Sequence, residues 1–86
     1  MAILITTDGE VVDNYDASGL SRKQSAVGGY IEYVRTRLGM TFIVNEEGMM
    51  LGLKPNMLAS NLAEMLLLGN VLMVSQEEIE EEDREC

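Results

Sequence analysis

A chain of 86 residues with a formal net charge of −9, one cysteine and no histidine is long enough for one small domain. Such a domain buries only about 60% of the surface its unfolded form exposes, so a partner or a second copy is needed for more than marginal stability. The lone Cys86 excludes an intrachain disulfide and fits a reducing compartment, and the lack of histidine leaves a poor ligand set for transition metals.

Residues 2–7 (AILITT) form an apolar run with β-branched members, and residues 10–15 (EVVDNY) a second. Asp8-Gly9 between them predicts a hairpin whose two central residues both take positive φ. Residues 16–29 change period. Asp16 or Ser18 can cap a helix that Gly28-Gly29 stops. Its expected inward side chains are Leu20, Ala26 and Val27, with Arg22, Lys23 and Ser25 facing water.

Residues 30–37 (YIEYVRTR) and 41–45 (TFIVN) predict a second hairpin. On its first strand Ile31, Tyr33, Arg35 and Arg37 point one way and Tyr30, Glu32, Val34 and Thr36 the other. Tyr33, Arg35 and Arg37 on one face suit a ligand, a partner or a second subunit. A partly solvated face with snorkelling arginines is the rival reading. Asn45-Glu46-Glu47-Gly48 fits a type I turn better than an acid–base or metal site, because Asn and Gly stand where that turn prefers them.

Residues 49–53 (MMLGL) read as a short extended piece, broken by Lys54-Pro55. Asn56 then caps a second helix over 57–68, ended by Gly69, with Leu58, Leu62, Met65 and Leu66 as a core-facing stripe. Residues 71–74 (VLMV) read as a strand buried on both faces. One continuous helix over 65–74 is the alternative, opposed by Gly69-Asn70. Seven acids and one base give residues 77–86 a net of −6, which leaves −3 for the remainder. Residues 1–76 therefore read as a single domain and 77–86 as a solvated acidic tail, although Ser75 and Glu78 offer a capping box.

The resulting class is α+β: a small, mostly antiparallel sheet in the order strand-strand-helix-strand-strand-helix-strand, two helices on one face, and the acidic tail. The uncovered face is the expected surface of a homo-oligomer.

The string VGGYIE, NEEG, GL-x-P-N, an apolar helix and GNVLMV resembles the domain of unknown function 3846 family, small proteins of bacteriophages and bacterial mobile elements. The likeness runs from about Leu20 to Val74. It is carried by Gly28, Gly29, Tyr30, Ile31, Glu32, Asn45, Glu46, Glu47, Gly48, Gly52, Leu53, Pro55 and Asn56. Asn70 stands where the family typically has an acidic residue, and the tail lies outside the shared pattern. The resemblance implies a phage-type protein acting inside a host cell and assigns no activity.

Catalysis is not expected. No Gly-x-Ser-x-Gly turn, dinucleotide fingerprint or phosphate loop is present, so no cofactor is expected either. Basic surface is too sparse for direct nucleic-acid binding. Neither a secretory leader nor a run of roughly 20 apolar residues occurs, which predicts a soluble, cytoplasmic protein with no membrane contact. Two functions fit. The first is sequestration of a small anionic ligand, such as a nucleotide signal of antiviral defence, at a homo-oligomer interface. The expected contacts are Gly28, Gly29, Tyr30, Tyr33, Arg35, Arg37, Asn45 and Asn56, with backbone N–H groups at Gly28-Gly29 cradling phosphate and tyrosine and arginine supplying stacking and charge. The second is direct inhibition of a host protein, through Met40, Met49, Met50 and Met57 or through the tail as a nucleic-acid mimic.

Overall fold

The computed structural model describes residues 2–36 and 39–75. Five strands, β1 (Ala2–Ile5), β2 (Val11–Tyr15), β3 (Ile31–Arg35), β4 (Met40–Asn45) and β5 (Val71–Ser75), form one sheet in the order β2-β1-β5-β4-β3. Every neighbouring pair is antiparallel. Helices α1 (Gly19–Val27) and α2 (Met57–Ala63) sit in the expected places along the chain. Because β5 lies in the centre, it needs apolar side chains on both faces, and Val71, Leu72 and Val74 are buried there. The acidic tail and residues 37 and 38 of the second hairpin lie outside the described residues.

The first hairpin forms, with a different turn. Only Gly9 has positive φ. The Gly9 N–H donates to Thr6 O and the Thr6 N–H to Glu10 O, which makes a three-residue loop with glycine in the left-handed position. At the second turn Gly48 N–H donates to Asn45 O, and the Glu47 N–H donates to Asn45 Oδ1 at 2.7 Å. The type I reading of Asn45-Glu46-Glu47-Gly48 therefore holds. Residues 49–52 are turn rather than extended chain: Leu51 N–H donates to Glu47 O and Leu53 N–H to Gly48 O.

Strand register places Ile43, Leu72 and Leu4 on one face of the sheet and Phe42, Met73 and Ile3 on the other. Ala26 and Val27 of α1 pack with Ile43, Leu72 and Val74, whereas Ala59 of α2 packs with Phe42, Val44 and Val71. The two helices thus cover opposite faces, not one. Among the described residues each face carries one helix, so the expected dimer surface, a face left uncovered by both helices, is not formed.

Helix α2 is also rotated from the expected orientation, whereas α1 turns Ala26 and Val27 inward as expected and departs at Leu20 and Lys23. On α1 the inward residues are Lys23, Ala26 and Val27, while Leu20 is exposed. Lys23 is accommodated because its Nζ donates to Ala17 O at 2.7 Å, leaving its aliphatic stem in the core. Arg22 stays outside, paired with Asp16 at 2.9 Å. The Ser18 hydroxyl and N–H donate to Asp16 Oδ1 and hold its carboxyl below the usual carboxylate range. On α2 the inward residue is Ala59, and Leu58, Leu62, Met65 and Leu66 are exposed. This helix ends at Ala63, with Glu64 in the left-handed conformation. The chain then turns back because the Ser60 hydroxyl accepts the Leu67 N–H at 2.8 Å and lies 3.2 Å from Leu67 O.

Thr41 is almost fully buried on β4, and its hydroxyl has no hydrogen-bond partner. Burying an unsatisfied hydroxyl costs about 1–3 kcal/mol. Thr41→Val should therefore raise the unfolding free energy by about 1 kcal/mol in urea titration. A loss of stability would show that the hydroxyl is satisfied in solution.

Candidate functional site

One end of the sheet gathers most of the expected contact residues. There α1 ends, β1 and β4 finish, and β3 and β5 begin. Gly28, with φ of 81°, closes α1, and the N–H groups of Gly28 and Gly29 both donate to Gln24 O at 2.8 and 3.1 Å. Those donors are spent on the helix end and are not offered to a phosphate. Gly29 is glycine for a packing reason: a Cβ there would stand 3.0 Å from Asn45 Nδ2. The Asn45 amide in turn donates to Val27 O at 3.2 Å, tying α1 to β4.

Asn56 is fully buried. Its Oδ1 accepts the Ala59 N–H at 3.1 Å, so it caps α2 as expected. Its Nδ2 donates to Ile5 O and Gly69 O, each at 2.9 Å. Asn45 and Asn56 are therefore internal fasteners, buried and occupied by backbone partners.

Tyr30 is 65% exposed beside this end. Tyr33 and Arg35 alternate along β3 on the same sheet face as α1, opposite Ile43 and Thr41. They run toward the far end of the sheet, so the structure does not join them to the glycines. Tyr33 is half-exposed and Arg35 exposed. Arg37 lies outside the described residues.

Between the end of α1, the β1–β2 loop and the segments leading into α2 and β5 lies an open concavity of about 310 Å³, lined by Thr7, Ser25, Gly28, Leu53, Lys54 and Asn70 among others. That volume is at the lower end for small-molecule sites. Its side chains bring an ammonium, two hydroxyls and an amide, and Asn70 Oδ1 accepts the Thr7 N–H at 3.3 Å. Of the expected ligand contacts, only Gly28 lines it. Lys54 and Thr7 carry no local motif, and their meeting depends on β1 and β5 pairing across more than sixty residues of chain. The one available signal was Asn70, a departure from the resembled pattern.

A larger feature lies on the α2 side. Met49, Met50, Leu51, Met57, Leu58, Leu62, Met65 and Leu66 are all exposed, Met49 and Met50 by more than 80%. Among the described residues no helix is long and apolar enough to cross a membrane.

Comparison with known proteins gives one family. The model described as domain of unknown function (DUF3846) matches residues 1–85. The match thus reaches beyond the stretch from Leu20 to Val74 and takes in both the first hairpin and nearly all of the tail. No curated protein and no solved structure matches.

Proposed function

The chain belongs to the DUF3846 family, and from the chemistry at the end of its sheet we propose that it is a non-enzymatic binding protein that sequesters a small anionic ligand. The observation that carries this is the concavity beside Lys54, where a cationic side chain, hydroxyls and an amide line an open space of about 310 Å³. The overall charge of −9 opposes anion binding at long range, so the local arrangement decides. Asn70 supports the reading, since a neutral amide stands where the resemblance implies an acid, leaving the Lys54 charge uncompensated at that position. In the phage setting implied by the resemblance, the ligand is a nucleotide immune signal in the host cytoplasm.

The test is calorimetric titration with cyclic di- and trinucleotides and cyclic ADP-ribose variants. Lys54→Glu should weaken binding at least tenfold, because an attractive charge becomes a repulsive one. Arg35→Glu, at the far end of the sheet, should leave it unchanged. No heat from any of these compounds and no shift in Tm overturns the proposal. A stoichiometric protein recovered from host lysate with wild type would establish direct inhibition of a host protein instead.

A further inference from the structure

The structure assigns the outward face of α2, together with the β4–α2 loop, to an interface with a second copy of this chain. The argument begins with the sequence of the helix. A surface helix places its bulky apolar side chains inward and its small or polar ones outward. Here α2 turns Ala59 to the sheet and leaves Met57, Leu58 and Leu62 outside, followed by exposed Met65 and Leu66. A helix so patterned is built to be covered on both sides.

The loop belongs to the same surface. Gly48 packs so closely on Leu68 that an added Cβ would lie 3.3 Å from the Leu68 Cβ, and Leu53 lies against Gly69. The Asn56 N–H donates to Leu67 O, and Pro55 bridges Leu68. The ends of the 48–53 turn therefore lie against residues 67–69, and the exposed Met49, Met50 and Leu51 sit in that turn.

Area separates the possible occupants. The eight residues are each between 39% and 83% exposed, together roughly 900 Å² with their backbone included, where the largest apolar patch of an ordinary monomer is about 300–600 Å². A stable interface buries about 800 Å² on each partner. The chain's own remaining segment cannot supply such a cover. Residues 76–86 contain Ile79 as their one aliphatic side chain among seven acids, and burying those acids against methionine and leucine would be costly.

A second copy presents the same apolar area and meets no electrostatic obstacle on the helix itself. From Met57 to Ala63 no residue is charged, with Lys54 before and Glu64 after. A two-fold axis crossing α2 brings the helices together antiparallel.

This inference stands apart from the ligand reading, and its test reads mass rather than binding heat. Native mass spectrometry and sedimentation equilibrium at high micromolar concentration should give twice the 9.5 kDa of one chain. Leu62 is 48% exposed, so Leu62→Glu leaves the core intact and should yield a folded monomer with an unchanged circular dichroism spectrum. Leu20→Glu, at a still more exposed leucine on α1 (58%), should leave the dimer in place and serves as the control. A wild type with the mass of one chain overturns the inference. So does a dimer that survives Leu62→Glu combined with Met50→Glu.

Discussion

Asn56→Ala should lower the unfolding free energy by about 3–4 kcal/mol, because it strips a fully buried amide from three internal partners at once. Truncation leaves Ile5 O, Gly69 O and the Ala59 N–H without that partner, at about 1–3 kcal/mol for each buried group left unsatisfied and unrelaxed. The cap alone contributes about 1 kcal/mol. A chain of this length has roughly 5–10 kcal/mol in total, so the variant should be close to the edge of folding at 37 °C. Urea denaturation followed by far-UV circular dichroism measures it. A loss below about 1 kcal/mol would mean that water replaces the amide and that the site is not sealed.

Asn56→Asp separates the donor role from the shape. The carboxylate keeps the volume and the Ala59 bond but places negative charge against the Ile5 and Gly69 carbonyls. Burial and those carbonyls favour the protonated acid, which raises its folded pKa above the unfolded value of about 3.9. The folded state then binds more protons between the two values, so stability must rise as the pH falls through the folded pKa and level off below the unfolded one. A variant that becomes less stable, relative to wild type, across that acid range would contradict the hydrogen-bond assignment.

The two asparagines also show what could be read from sequence. Asn45 before Glu-Glu-Gly and Asn56 before an apolar run are local signals, since turn and cap chemistry act within three or four residues. Their second roles, Asn45 to Val27 O and Asn56 to Ile5 O, span 18 and 51 residues. No local pattern carries those. Reading them as ligand contacts mistook a polar residue required by the fold for one offered to solvent.

The face of α2, and Leu20 and Lys23 on α1, were misread for a related reason. Periodicity says that large apolar residues share a stripe, but not which side of the helix meets the sheet. On α1 a lysine goes in because the Ala17 carbonyl stands within reach of its ammonium. On α2 close approach to Phe42 and Val44 suits an alanine, and the leucine stripe is left for another surface. The strands had no such freedom. β5 is flanked on both sides and covered on both faces, which its run of apolar residues after Gly69-Asn70 requires of a strand. Edge strand β3, with Tyr33 and Arg35 beside Ile31, admitted two interpretations.

The second large effect should come from Gly69→Ala, at about 2–3 kcal/mol. Gly69 has φ of 77°, and an added Cβ would fall 2.8 Å from Leu53 Cδ1. The left-handed conformation costs an alanine roughly 1–2 kcal/mol, and the contact adds whatever Leu53 pays to change rotamer. Relaxation of the backbone is blocked on both sides: the Gly69 N–H donates to Lys54 O at 2.7 Å, while its carbonyl accepts from Asn56. Shifting φ would break the same network that Asn56 closes. A double-mutant cycle with Leu53→Ala isolates the steric part, because the shortened side chain vacates the space that the new methyl enters. We expect the double variant to be at least about 1 kcal/mol more stable than the sum of the single effects predicts. Strict additivity would mean that the whole cost is backbone strain, and that Leu53 is free to move away from the strand that begins at Val71.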